Sequence, residues 1–333
     1  MAHEISTASG RAEMFYAGET PWHRLGTKVD HLLTGAEALV TAGLDWTVEQ
    51  RPTFYRPRAN DSVVQVPDRM VNVRSDTGTY LGTVGNGFTP IQNSVLFDFA
   101  DALVQAGAKF ETAGALRDGK RIWALARLGE DAEIGEGDMV KRYLCLSNGH
   151  DGTMAFRAFR TPIRVVCANT LQAAMPGRFG KGHDAISIRH TSNALNAVDE
   201  AREVLRLAVE SYDTLINAYR RLRVHDVSES KASDYFAALF PVDESTPKRK
   251  GRGEDRLKVL TRNMHEGRGA DLGRGTWWSA YNAVTEHLSH QRRFTGKNDE
   301  ARLDNRMQQL VLGGPANSVG ARALDLALAA TGN

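Results

Sequence analysis

Lys109-Phe110-Glu111-Thr112-Ala113-Gly114-Ala115-Leu116-Arg117-Asp118-Gly119-Lys120-Arg121-Ile122-Trp123-Ala124-Leu125-Ala126-Arg127-Leu128 is the stretch from which the fold is read. Two strand-like runs flank Arg117–Lys120, and Asp118-Gly119 is the dipeptide that accepts positive φ in a tight hairpin turn. A second hairpin is expected from Met139–Ser147 and Thr153–Arg160, joined by Asn148-Gly149-His150-Asp151-Gly152. Thr161-Pro162 then reads as a helix start, with threonine as cap and proline at the first helical position. Ile163, Val166, Cys167, Leu171, Ala174 and Met175 follow at helical spacing, although the β-branched pair Val165-Val166 leaves a strand open there. The order is hairpin, hairpin, helix.

Working outward, Asp45–Arg56, Ser62–Val73 and Thr79–Val84 are β-branched and aromatic enough for strands. Val95, Phe99, Ala102, Leu103 and Ala106 have helical spacing, with Asn93 placed to cap them. Beyond residue 190 the pattern becomes helical. Leu195 to Leu222 mark one face of a long amphipathic helix, about 45 Å from Ala194 to Arg223 at 1.5 Å per residue. Ser233–Phe240 reads as a short helix, and Trp277, Trp278, Tyr281, Val284 and Leu288 begin another, better explained as core than as a partner-binding hot spot. A further helix runs to Leu312, breaks at Gly313-Gly314-Pro315 and resumes at Asn317. The fold class is α+β: an antiparallel hairpin sheet packed with helices over 1–190, and a mostly helical region over 191–333. Pro241–Arg256, with Pro247-Lys248-Arg249-Lys250-Gly251-Arg252-Gly253, reads as a mobile basic linker.

Composition narrows the classes. The chain's 333 residues, 41% hydrophobic and 25% charged, suit a globular protein with a real core. Cys145 and Cys167 are too few for a disulfide framework and lack zinc-site spacing. The first residues carry no signal-peptide pattern, and no apolar run approaches the roughly 20 residues that span a bilayer. A cytoplasmic protein is expected.

Five segments resemble one family: Pro21-Trp22-His23-Arg24-Leu25-Gly26-Thr27, Gly87–Asn93, Glu111–Leu116, Ser147–Gly152 and Thr161–Leu171. Together they look like the phage- and plasmid-like family called domain of unknown function nine hundred and thirty-two. The resemblance covers roughly Phe15 to Tyr219; the region beyond Val224 has no match. It implies a mobile-element setting and no defined activity. The hairpins-then-helix order is also similar, in topology alone, to phage single-strand annealing proteins and Rad fifty-two-type annealers, which form rings or filaments on single strands.

Charge is gathered locally. Between Met139 and His190 eight basic residues face only Asp151 and Asp184, a net +6 in a chain whose total is +2. Such concentration suits a surface that tracks phosphates. On Thr153–Arg160 strand alternation puts Met154, Phe156 and Ala158 on one face and Ala155, Arg157 and Phe159 on the other. An arginine beside an exposed phenylalanine offers phosphate contact and a base-stacking platform. The expected nucleic-acid-binding residues are Lys141, Arg142, Arg157, Phe159, Arg160, Arg164, Arg178 and Lys181, with Lys248, Arg249 and Lys250. The alternative is that Phe159 packs under a neighbouring helix and Arg157 pairs with an acid. Replacing Arg157 and Arg160 should weaken binding without unfolding the chain.

Enzymatic signals are sparse. His23 lies beside Trp22, and His150 beside Asp151, but adjacent strand residues face opposite ways, so the latter two read better as turn residues. His287 and His290 lack a third metal ligand. There is no P-loop, dinucleotide fingerprint, nucleophile elbow or zinc-protease helix. No cofactor is expected. The expected function is single-stranded DNA or RNA binding by a homo-oligomer, in an annealing or recombination setting. A mobile-element interaction protein, or an enzyme using His23 or His150, are the alternatives.

Overall fold

The computed structural model describes residues 5–18, 24–58, 62–102, 108–161, 163–164, 169–170, 185–201, 212–297, 302 and 315–332. The chain forms two compact units that interleave in sequence. Unit 1 takes Met1–Leu128, Leu144–Phe159 and Ala185–Val209; unit 2 takes Gly129–Tyr143, Arg160–Asp184 and Glu210–Asn333. The sequence reading drew one boundary, near residue 190. The strand-rich first half and helical second half it expected are both present, so the class is α+β.

Elements are numbered in chain order. Unit 1 begins with β1 (Met14–Ala17), β2 (Thr27–Val29), α1 (Gly35–Thr41), β3 (Val48–Tyr55), β4 (Val64–Arg74), β5 (Tyr80–Gly85), α2 (Asn93–Asp101), β6 (Lys109–Leu116) and β7 (Arg121–Arg127). It is completed by β10 (Tyr143–Gly149), β11 (Phe156–Arg160), β14 (Ala185–Ile188) and α3 (residues 194–201). A seven-stranded sheet runs β14-β11-β10-β7-β6-β1-β2, and β3-β4-β5 form a separate antiparallel sheet.

The deciding hairpin is as read. Leu116 faces Arg121, and Arg117, Asp118 and Gly119 take φ of 53°, 58° and 93° through the turn. Helices α1 and α2 pack together, α1 against β6 and α2 against β7. Phe97 meets Phe110 and Phe99 meets Phe156, at ring distances of 5.0 and 5.3 Å in the core. Thr34 and Glu37 form a reciprocal capping box on α1.

Unit 2 holds the sheet β13-β12-β9-β8, from β8 (Ala132–Gly135), β9 (Asp138–Lys141), β12 (Ile163–Arg164) and β13 (Asn169–Thr170). Its helices are α4 (Tyr212–Val224), α5 (Glu229–Leu239), α6 (Pro247–Glu266), α7 (Trp277–Glu286) and α8 (Pro315–Ala330). A π-helical turn, His287–Gln291, continues α7. Tyr219, Trp278 and Tyr281 cluster within 6.1 Å, fully buried, so the aromatic run is core. Trp278 Nε1 donates to Asp138 Oδ2 at 2.8 Å, satisfying a buried indole.

Four expectations are corrected. Met139–Ser147 is not one strand: the chain leaves β9 at Arg142 and enters the other sheet as β10. Ile163–Arg164 is not a helical turn but pairs with β9 and β13; the β-branched character there outweighs the Thr-Pro signal. Hairpin, hairpin, helix is therefore not the order among the described residues, and the topological likeness to annealing proteins loses its basis. Val166, Cys167, Leu171, Ala174 and Met175 lie outside those residues. The third correction concerns Pro247–Gly253, which is no linker. Thr246 caps α6 by accepting from the Arg249 N–H, and Pro247 opens the helix with the φ it requires. Finally, the cap of α2 is Gln92, because the Asn93 side chain is engaged elsewhere.

Candidate nucleic-acid interface

The structure redistributes the expected basic cluster. Arg142 sits 3.1 Å from Asp213 and over the Tyr212 ring, in unit 2. Arg160 is only 5% exposed, its guanidinium 5.4 Å from the same ring. Burial lowers the Arg160 pKa, with Tyr212 and Tyr219 opposing that shift. Neither arginine is a free phosphate ligand. Lys141 is half-buried at the end of β9. The backbone of Arg164 lies in β12, and Arg178 and Lys181 lie outside the described residues.

Arg249 pairs with Asp243 at 3.0 Å, and Lys250 with Glu244 at 3.4 Å. Cations at a helix N-terminus oppose the macrodipole, and these two acids just upstream offset that cost. Lys248 is exposed in the same turn.

Strand alternation on β11 is as expected. Phe156 and Ala158 are buried, while Arg157 and Phe159 are half-buried on the opposite face. Arg157 stands beside the exposed Ser187 of edge strand β14, and exposed Arg189 follows two residues later.

A second surface, absent from the sequence reading, lies on β3 and β4. Their distal half is exposed on both faces: Phe54 is 53% exposed, Tyr55 51% and Val63 54%. Tyr55 faces Val64 and Phe54 faces Gln65, so the adjacent aromatics stand on opposite sides of a two-stranded arm. The register slips between Pro52 and Phe54, and Asp68 opposite takes φ 57°, bending the arm. Arg51, Arg56, Arg58 and Arg69 are exposed along it. Arg51 is paired with Glu49, and Asp68 accepts from Asn86. The signal that could have found the arm is Arg51-Pro52-Thr53-Phe54-Tyr55-Arg56-Pro57-Arg58, where two adjacent aromatics are flanked by arginines and prolines without a run of core residues.

Two of the family-like segments converge inside unit 1, not at its surface. Asn93 Nδ2 donates to the carbonyls of Leu44 and Trp46, which turns its Oδ1 towards His150 Nε2 at 2.8 Å. His150 therefore carries its proton on Nε2. Asn72 donates to the His150 carbonyl, and Asn148 to that of Ile91. Gln92 bridges the Val48 amide and carbonyl as a strand neighbour would. Burial, helped by the charge of His190 and Arg74, pushes the His150 pKa down to about 3. Beside it Arg74 lies 4.3 Å over Trp46 and forks onto both Glu13 oxygens at 2.7 and 2.8 Å, with both side chains fully buried. His150 and Asp151 are thus no dyad: the histidine is a locked, neutral strut, and Asp151 caps Thr153. His23 lies outside the described residues. His287 sits edge-on to Phe240 amid Arg256 and Arg292, surroundings that repel a cation.

The chain belongs to the family described as Domain of unknown function (DUF932), whose model matches residues 80–311, more than half its length. The match begins later than the expected Phe15 and continues past Val224, through α4 to α7. No curated protein and no solved structure matches the chain. Among the described residues no helix is long and apolar enough to cross a membrane.

Proposed function

We propose that the protein binds single-stranded nucleic acid in the cytoplasm as a homo-oligomer, with the β3–β4 arm as its stacking element. The observation that carries this reading is the pair Phe54 and Tyr55, each about half exposed on opposite faces of a strand, followed by exposed Arg56 and Arg58. Rings that accept any base, beside guanidinium groups that follow the backbone, are the sequence-tolerant chemistry of single-strand binding. Apolar surface rimmed by charged residues is the kind that marks an interaction site. Arg157 and Phe159 on β11 repeat the combination within the same unit. Binding, not annealing as such, is what these residues support.

The test is titration of a fluorescent oligonucleotide with the full chain and with Phe54→Ala/Tyr55→Ala. The wild type should bind single strands at low salt, and the variant should lose about 1–3 kcal/mol per lost stack. Equal affinity of the two proteins, or no binding by either, would overturn the proposal. A wild type that captures a protein through the arm while ignoring oligonucleotides would favour the interaction-protein reading.

A further inference from the structure

Within unit 2, α6 and the π-helical turn are held together by a reciprocal amide pair. Asn263 Nδ2 donates to Gln291 Oε1 and Gln291 Nε2 to Asn263 Oδ1, both at 2.9 Å. Asn263 also donates to the Ala283 carbonyl at 3.3 Å. Arg256 stands seven residues before Asn263, two helical turns away on the same face of α6. The clamp therefore presents Arg256 towards the turn that carries His287 and precedes Arg292.

The side chains there have an unusual composition. The Arg256 guanidinium lies 5.4 Å over the Phe240 ring, and Phe240 meets the His287 ring edge-on at 5.7 Å. Arg292 donates its backbone N–H to the His287 carbonyl at 2.7 Å and lies 5.7 Å over Phe294. No carboxylate pairs with either arginine among the described residues. Asp255, next to Arg256, is turned to Lys258, and the Glu286 carboxylate lies against Gly267 at the far end of α6. Both arginines border His287, Arg256 through the Phe240 ring and Arg292 through its backbone N–H. Burial lowers the Arg292 pKa and the Arg256 charge adds to that; His287, lowered by burial, Arg256 and Arg292 to about 4, is neutral at physiological pH.

Like charges held together without a counter-charge are unfavourable, and a protein commonly relieves them with a bound anion. Each guanidinium lies within cation–π range of a phenylalanine, 5.4 and 5.7 Å from the ring centres, and guanidinium forks suit phosphate. The turn is π-helical, a distortion that adds a residue to a helix and recurs at functional sites.

We propose that Arg256 and Arg292, set beside His287 by the Asn263–Gln291 clamp, form a binding site for a phosphate-class oxyanion. The proposal stands on unit 2 alone and does not rest on the strand-binding reading. The group could be a free phosphate or a nucleic-acid phosphate, and the experiment separates the two.

Calorimetric titration of the full chain with inorganic phosphate, at ionic strength held constant with chloride, should show one saturable site. Arg256→Gln, at an exposed position of α6, should weaken it at least tenfold, and Arg292→Gln should do the same. No saturable uptake by the wild type, or unchanged affinity in Arg256→Gln, overturns the site. A second arm measures oligonucleotide affinity of Arg256→Gln. A parallel loss supports a site for a backbone phosphate, and unchanged strand affinity beside lost phosphate uptake supports a small-anion site. Failure of the strand-binding reading would appear instead as no oligonucleotide binding with phosphate uptake intact.

Discussion

Asn93 Oδ1 accepts the Nε2 proton of His150 at 2.8 Å, tying the start of α2 to the end of β10 across 57 residues of chain. Both residues come from segments that mark the family resemblance, and both are buried. The pairing completes the Asn93 side chain, whose two amide donors and carbonyl oxygen are all used, while His150 Nδ1 stays buried without a partner among the described residues.

Stability should fall with acid through that histidine. Its folded-state pKa is about 3 against an ordinary 6.5, so between those values the unfolded chain binds a proton that the folded chain refuses. Stability then rises with pH across pH 3–6.5, by up to about 1.4 kcal/mol per unit for this one group. His150→Gln, which keeps a donor for Asn93, should lose part of that slope in denaturant titrations at pH 4 and pH 7. An unchanged slope would mean that the histidine titrates normally.

Breaking the Arg74–Glu13 fork should cost more than any surface change. Burial alone would raise the Glu13 pKa, but hydrogen bonds from Arg74, Ser6 and Ser9 together with the Arg74 charge more than reverse it and hold the carboxylate ionised. Glu13→Gln leaves a buried guanidinium under-compensated, and about 3–5 kcal/mol is expected from urea unfolding. Because the Glu13 pKa is depressed, its contribution is present above its ordinary 4.5 and disappears as pH falls through the folded value.

Gly82 has no room for a side chain. A Cβ there would stand 2.6 Å from the Asp151 Cα and 2.9 Å from its carbonyl oxygen, both backbone atoms. Gly82→Ala should lose about 1–3 kcal/mol in thermal or chemical unfolding, as overpacking generally does. A neutral result would show that the Asn148–Gly152 loop yields easily.

Arg56→Ala/Arg58→Ala should act on the salt dependence of strand binding. Removing two phosphate contacts lowers the slope of log K against log salt by about 1.4, since each single-strand contact contributes about 0.7. Loss of Phe54 and Tyr55 should leave that slope almost unchanged. Identical slopes for the arginine variant and the wild type would remove these residues from the interface.

Arg157→Ala and Arg160→Ala should part company, where the sequence treats them alike. Arg157 is on the solvent side of β11 and its loss should leave the melting temperature nearly unaltered. Arg160 packs on Tyr212, and its loss should lower the melting temperature by several degrees.

What the sequence made legible was local. Asp118-Gly119 declared its turn because only a few residues accept positive φ there, and Trp277, Trp278 and Tyr281 declared a core by spacing and size. Thr161-Pro162 misled because a cap signature is a short-range statement, while the pairing of Ile163 with Lys141 is decided by a partner strand across the chain. Lys248-Arg249-Lys250 looked like loop because charge drew attention from Thr246-Pro247, the true helix start. The basic cluster failed for a different reason. Summing charges along a segment says nothing of Asp213, which comes from far downstream to meet Arg142.

The interleaving of the two units has a practical side. Unit 1's sheet needs β10, β11 and β14, while unit 2 reclaims the residues on either side of them. No single cut frees either as an autonomous fragment, so an expression plasmid ending at residue 190 would code for a sheet whose neighbouring unit is an amputated stump. Testing each unit's role calls for point substitutions in the intact polypeptide.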